Sequence, residues 1–90
     1  MKQAQKAMEQ MQQIEAELAE TRVEGTAGGG MVRVEATGTG VFESVTIDPQ
    51  VVDPEDIELL QDLVVSAFRD AAEKSAQLKA ERMKELTGGL

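Results

Sequence analysis

Apolar residues in the first twenty positions fall at Ala4, Met8, Met11, Ile14 and Leu18, spaced four, three, three and four apart. This spacing holds them on one stripe of a helix, close to the seven-residue repeat. The intervening Gln, Glu, Ala and Lys are good helix formers, and no Gly or Pro interrupts them. One amphipathic helix is predicted over about 2–20. From Thr21 the period shortens to two. Val23 alternates with Arg22 and Glu24, and Val32, Val34 and Ala36 alternate with Met31, Arg33, Glu35 and Thr37. Val41, Val45 and Ile47 alternate with Phe42, Ser44 and Thr46, with Glu43 as an exception on the apolar side. Such alternation of β-branched residues predicts short strands. Gly28-Gly29-Gly30 and Gly38-Thr39-Gly40 stand between them at hairpin positions, so the economical reading is a three-stranded antiparallel meander over about 21–48.

Asp48-Pro49 breaks the third strand, and a helix start follows at Asp53-Pro54-Glu55-Asp56. Asp53 is suited to the N-cap, Pro54 to the first helical position, and Glu55 and Asp56 to the positive end of the helix dipole. Apolar or small residues then recur at Ile57, Leu60, Val64, Ala67, Phe68, Ala71, Ser75 and Leu78. The pattern predicts a second helix over about 54–86, with Gly88 placed as a left-handed cap. The fold class is α+β: N-terminal helix, three-stranded meander, long C-terminal helix, in one domain over 1–90.

That last helix is long for its chain. At 1.5 Å per residue it makes a rod of roughly 50 Å. A compact domain of this size has a diameter of only about 30 Å, so the rod must overhang as an arm. Three strands and two helices also provide a thin core, and Leu59 and Val65 sit off the main apolar stripe. Small folds of this kind often complete their core by association, so a twofold homodimer is expected.

Composition removes much chemistry. The 90 residues contain no Cys, His, Trp or Tyr, and the only aromatics are Phe42 and Phe68. Thiol and imidazole chemistry and the usual zinc ligands are therefore absent, and so is an aromatic platform for stacking bases. Lack of Cys fits a reducing cytoplasm. No apolar run approaches the roughly 20 residues of a membrane span. Net charge is −8, which by itself argues against polyanions. Its distribution changes that inference. Residues 24–62 hold only Arg33 against nine acidic residues, whereas residues 63–90 hold five basic against four acidic. If the helices pair antiparallel, Lys2 and Lys6 share an arm tip with Lys79, Arg82 and Lys84, opposed by Glu81 and Glu85. The acidic body then lies several screening lengths away, the Debye length being about 8 Å at physiological salt. On charge alone an ordinary solvated helix face remains the default.

Ala27-Gly28-Gly29-Gly30-Met31-Val32-Arg33-Val34, Ile47-Asp48-Pro49, Asp53-Pro54-Glu55-Asp56, Leu60-Gln61-Asp62-Leu63-Val64 and Ala67-Phe68-Arg69-Asp70-Ala71 follow in order along the chain. With the opening Lys2-Gln3-Ala4-Gln5-Lys6 and the closing Leu86-Thr87-Gly88-Gly89-Leu90, they closely resemble the YbaB/EbfC family of bacterial nucleoid-associated proteins. The resemblance implies a cytoplasmic, nucleoid-located, tweezer-like homodimer whose protruding helices bind double-stranded DNA in nucleoid organisation or gene expression. Carried over by position, the DNA-binding residues are Lys2, Lys6, Lys74, Lys79, Arg82 and Lys84. With Lys dominant, contacts are expected mainly to phosphates, and Arg82 is the candidate for any groove contact.

Other motifs carry less. Gly28-Gly29-Gly30 precedes a strand and lacks the Lys-Ser/Thr of a phosphate loop, and Gly38-Thr39-Gly40 is no dinucleotide fingerprint. Asp48, Asp53, Glu55 and Asp56 lack calcium-loop spacing and suit turns and caps. Met8, Met11 and Met83 fit packing between helices better than an adaptable groove. No enzyme, cofactor, metal, small-molecule substrate or membrane role is expected. The alternative class is a dimeric protein-interaction or adaptor module whose arms grip another protein.

Overall fold

The computed structural model describes the backbone of residues 2–88 and the side chains of residues 3–86. Its elements are α1 (Lys2–Glu20), β1 (Arg22–Ala27), β2 (Val32–Thr37), β3 (Phe42–Ile47), a 3-10 turn at Pro49–Val51, and α2 (Ile57–Gly88). The strands form one antiparallel sheet in the order β1-β2-β3, as the period-two pattern predicts. The molecule measures 63 × 19 × 15 Å with a radius of gyration of 17.3 Å. A compact chain of this length has a radius near 12 Å, so the predicted overhang is present.

α1 ends where Thr21 closes its last turn, donating its N–H to the Leu18 carbonyl and its hydroxyl to the Glu17 carbonyl. The fully buried Leu18 anchors that end on the β2–β3 turn. There the Gly38 N–H bonds to the carbonyls of both Leu18 and Thr21 at 2.9 Å. A Cβ at Gly38 would lie 2.9 Å from the Leu18 carbonyl oxygen, so the helix and turn meet only because glycine is there. The β1–β2 turn takes positive φ at Gly28, Gly29 and Gly30, between 63° and 93°, where other residues would be strained.

The start of α2 differs from expectation. Asp53 instead forms a turn, its carboxylate accepting the Glu55 N–H at 2.9 Å, and the helix begins three residues later. Asp56 is the cap, accepting the Leu59 N–H at 3.2 Å. Both aspartates can accept at a turn, and Pro54 suits the turn as well as a helical first position. At the other end, Gly88 is not a left-handed cap after residue 86 but the last described residue of the helix itself.

A second difference lies in β3. Glu35 pairs with Ser44 but Ala36 pairs with Phe42, so Glu43 is the extra residue of a β-bulge. The bulge moves Phe42 onto the apolar face with Val45 and Ile47, where its ring meets Phe68 edge-on at 4.7 Å. Glu43, expected on the apolar side, turns to the polar face and pairs with Arg22 at 2.9 Å. Unbroken alternation would have set the carboxylate on the apolar face and the phenyl ring on the polar one; one inserted residue corrects both.

The core is Val32, Val34 and Ala36 of β2 against Ala67 and Ala71 of α2. Small residues on α2 bring its backbone onto the sheet. At Gly25 of β1 an added Cβ would stand 2.3 Å from the Ala67 carbonyl oxygen and 2.2 Å from the Ala71 nitrogen. Both are backbone atoms, so neither can swing aside. Gly25→Ala is therefore expected to cost about 2 kcal/mol or more by overpacking, read as a melting temperature lowered by roughly 10 °C. An unchanged melt would show that α2 does not rest on β1.

Candidate nucleic-acid interface

α2 lies over β1 and β2 and then continues past the sheet, with α1 running antiparallel beside it. Arg82 bonds to Glu17 and Lys79 lies 3.9 Å from Glu15, both across the seam between the two helices. Further out, a cleft of ≈ 780 Å³ is lined by Lys6, Ala7, Gln10 and Met11 among others on α1 and by Leu86 of α2. Lys6 thus does stand near the end of α2, as the antiparallel arrangement requires. The side chain of Lys2, the first residue of α1, lies outside the described residues.

The expected cations do not gather at one point. Lys6 and Glu17 are eleven residues apart on α1, which separates Lys6 from the Arg82 pair by about 16 Å along the arm. Lys79 and Lys84 are exposed on α2, and Arg82 is half-buried. Lys74 sits on the body instead. Its ammonium donates to the Glu24 carbonyl at 2.8 Å and pairs with Asp70 at 3.1 Å. Asp70 in turn accepts the Thr26 N–H at 2.9 Å. Together Asp70 and Lys74, one helical turn apart, satisfy a donor and an acceptor on the outer edge of β1 and so close that edge to further strand pairing.

Two carboxylates that sequence reasoning passed over, Glu15 and Glu17, occupy the cations Lys79 and Arg82. Attention to neighbours on the same helix found only Glu81 and Glu85, of which Glu85 stands 3.8 Å from Arg82. Pairing the helices residue by residue would have exposed the cross-helix partners. On the sheet, Arg22 is held by Glu43 and Glu35, and Arg33 donates to the Gly30 carbonyl at 3.0 Å. Three aspartates of the body are engaged in turns and the α2 cap. Asp48 accepts the Gln50 N–H at 2.9 Å, beside the Asp53 and Asp56 turns already described. Among the described residues no group of three acidic side chains is placed to hold a metal ion, and no helix is long and apolar enough to cross a membrane.

The family model for the YbaB/EbfC DNA-binding family matches residues 1–90. The chain belongs to that family. A nucleoid-associated protein of Chloroflexus aurantiacus is 53% identical over 90 residues, covering 100% of this chain and 90% of the relative. One from Nocardia farcinica is 53% identical over 87 residues, covering 97% of this chain and 79% of the relative. The YbaB/EbfC fold is met again in the crystal structure of an uncharacterized protein from Helicobacter pylori, with a TM-score of 0.83 at 24% identity. That likeness covers 93% of this chain and 88% of the other, and it extends to the fold.

The pairing at Asp70 makes a prediction for the body that carries the arms. The Thr26 N–H first, and then Lys74, hold the Asp70 carboxyl below its ordinary value of 3.8. A depressed carboxyl stabilises the folded chain above its unfolded pKa, and that contribution fades as acid protonates it. Asp70→Asn should therefore flatten the decline in melting temperature between pH 5 and pH 3 relative to wild type. Identical declines would mean that the β1 clamp does not depend on the charge.

Proposed function

We propose that this member of the family is a homodimer that binds double-stranded DNA through its α1–α2 arms, mainly by phosphate contacts, in the organisation or expression of the bacterial nucleoid. The observation that carries the reading is the uneven charge along the molecule. On the overhang Lys6, Lys79, Arg82 and Lys84 stand with Glu9, Glu15, Glu17, Glu81 and Glu85, close to balance, while the acidic residues from Glu24 to Asp62, with only Arg33 against them, lie on the sheet, its connections and the start of α2. Lys2 belongs to the same proposed surface by its place at the start of α1. Lys74 contributes to the body through the β1 edge. We assign the protein no catalytic role and place it in the cytoplasm, on the nucleoid, by analogy with relatives named for that association.

Dimerisation is supported by a face left half covered. Phe42, Val45 and Ile47 of β3 are 45%, 42% and 38% exposed on the side where α2 covers the rest of the sheet. Ile57 and Val65 are exposed on the flank of α2 nearest them, the flank that also carries Phe68. The β3 edge has no counterpart of the Asp70–Lys74 clamp among the described residues. An apolar strip beside an open strand edge suits a second copy of the chain, and two copies present two arms to one duplex. An adaptor that grips protein and not DNA is the alternative, and salt separates the two.

Each phosphate neutralised releases counterions and contributes about −0.9 to the slope of log affinity against log salt, so even two contacts lose about tenfold between 50 and 200 mM. Fluorescence anisotropy on duplex DNA should show at least that loss. Replacing Lys79, Arg82 and Lys84 together by Ala should weaken binding at least tenfold at 50 mM salt and reduce the salt slope, while Arg33→Ala on the sheet should change little. Absence of binding at 50 mM salt, or an equal loss from Arg33→Ala, would overturn the arm reading.

A further inference from the structure

Arg82 and Lys79 do not wait unoccupied for a ligand. The Arg82 guanidinium donates to a Glu17 carboxylate oxygen, and the Lys79 ammonium lies 3.9 Å from Glu15. We propose that Glu15 and Glu17 are built-in competitors for the arm cations. On this account the protein engages a phosphate backbone by exchanging two intramolecular ion pairs for phosphate contacts. The proposal rests on the DNA reading of the arm and adds what limits its affinity.

Geometry supports exchange over a permanent clamp. Ile14 and Leu18 mark the face of α1 turned towards α2 and the sheet, being half-buried and buried. By helical angle Glu17 falls on one flank of that face and Glu15 on the other. Each flank of the seam thus carries one cross-helix pair, in the manner of residues bordering a coiled-coil core. α1 is also anchored at its end by Leu18 against Gly38 of the β2–β3 turn, so the pairs can open without releasing it. They are also wet: the side chains of Glu15 and Glu17 are 60% and 45% exposed, and those of Lys79 and Arg82 are 46% and 34% exposed. Exposed pairs of this kind hold weakly and reorganise readily. A phosphate row, with several charges in line, is the stronger competitor.

Exchange has a signature in salt. Salt screens the exposed Arg82–Glu17 pair as well as the phosphate contact, so the internal competition weakens as salt rises and offsets part of the loss in DNA affinity. Removing the Glu17 charge abolishes that offset. The salt dependence should then steepen as affinity rises.

The test compares Glu17→Gln with Glu81→Gln by anisotropy on duplex DNA at 50 and 200 mM salt, with melts to verify folding. Both variants remove one negative charge from the arm, but Glu81, one residue from Arg82, makes no ion pair among the described residues. Glu17→Gln should tighten binding about three- to tenfold at 50 mM salt and steepen the salt slope, against about twofold or less for Glu81→Gln. In an Arg82→Gln background the advantage of Glu17→Gln over Glu81→Gln should vanish, because the effect runs through Arg82. Equal gains from the two variants, or weaker binding by Glu17→Gln, would overturn the competition while leaving DNA binding intact. If neither wild type nor Glu17→Gln binds at 50 mM salt, the arm reading itself fails and the competition with it.

Discussion

Everything distinctive in this molecule follows from laying a long helix on a small sheet. α2 has 32 residues and each strand has six. The helix is therefore about 48 Å long against strands of about 20 Å. The excess length leaves the sheet and becomes an arm. Width matters as much: a helix about 10 Å across covers roughly two strands spaced about 4.8 Å apart. β1 and β2 lie beneath α2, held by the contact at Gly25 that lets backbone rest on backbone. β3 is left with its apolar side chains uncovered. One mismatch thus supplies both a projecting surface and a face that asks for a second copy.

Charge then follows the same division. The body is acidic, and four of its aspartates are used locally: Asp48 and Asp53 in turns, Asp56 in the α2 cap and Asp70 in the clamp on the β1 edge. The arm carries cations, but two of them are paired across the seam with α1. A whole-chain charge of −8 therefore says little about what the arm meets, since body and tip are separated by more than a screening length. The cross-helix pairs matter more. They set how much of the arm's positive charge is available at a given salt concentration.

The large elements were legible in the sequence because their signals are periodic and repeated. Ala4 to Leu18 and Ile57 to Leu78 each mark a helical face several times over, and Val32, Val34 and Ala36 mark a buried strand face. What stayed illegible depends on single residues or on pairs distant in sequence. Glu43 looked like an apolar-side exception because alternation by itself cannot show where one residue has been inserted. Asp53 and Asp56 are equivalent as cap candidates, and only the turn at Pro54 separates them. Gly25 lies inside a strand with no neighbouring glycine to mark it, and its need for a bare Cα arises from Ala67 and Ala71, more than forty residues away. Lys74 reads as an arm cation until β1 is set beside it, and Glu15 and Glu17 read as solvated helix charge until α1 and α2 are placed in register.

A twin that completes the half-covered sheet would set two arms against one duplex. Sedimentation equilibrium of the wild type and of Val45→Asp tests it most directly. A dimer mass near twice 9.7 kDa is expected for the wild type, with a shift to monomer when a carboxylate is placed on the β3 face. A wild type that sediments cleanly as a monomer, or a dimer that Val45→Asp leaves intact, would contradict it.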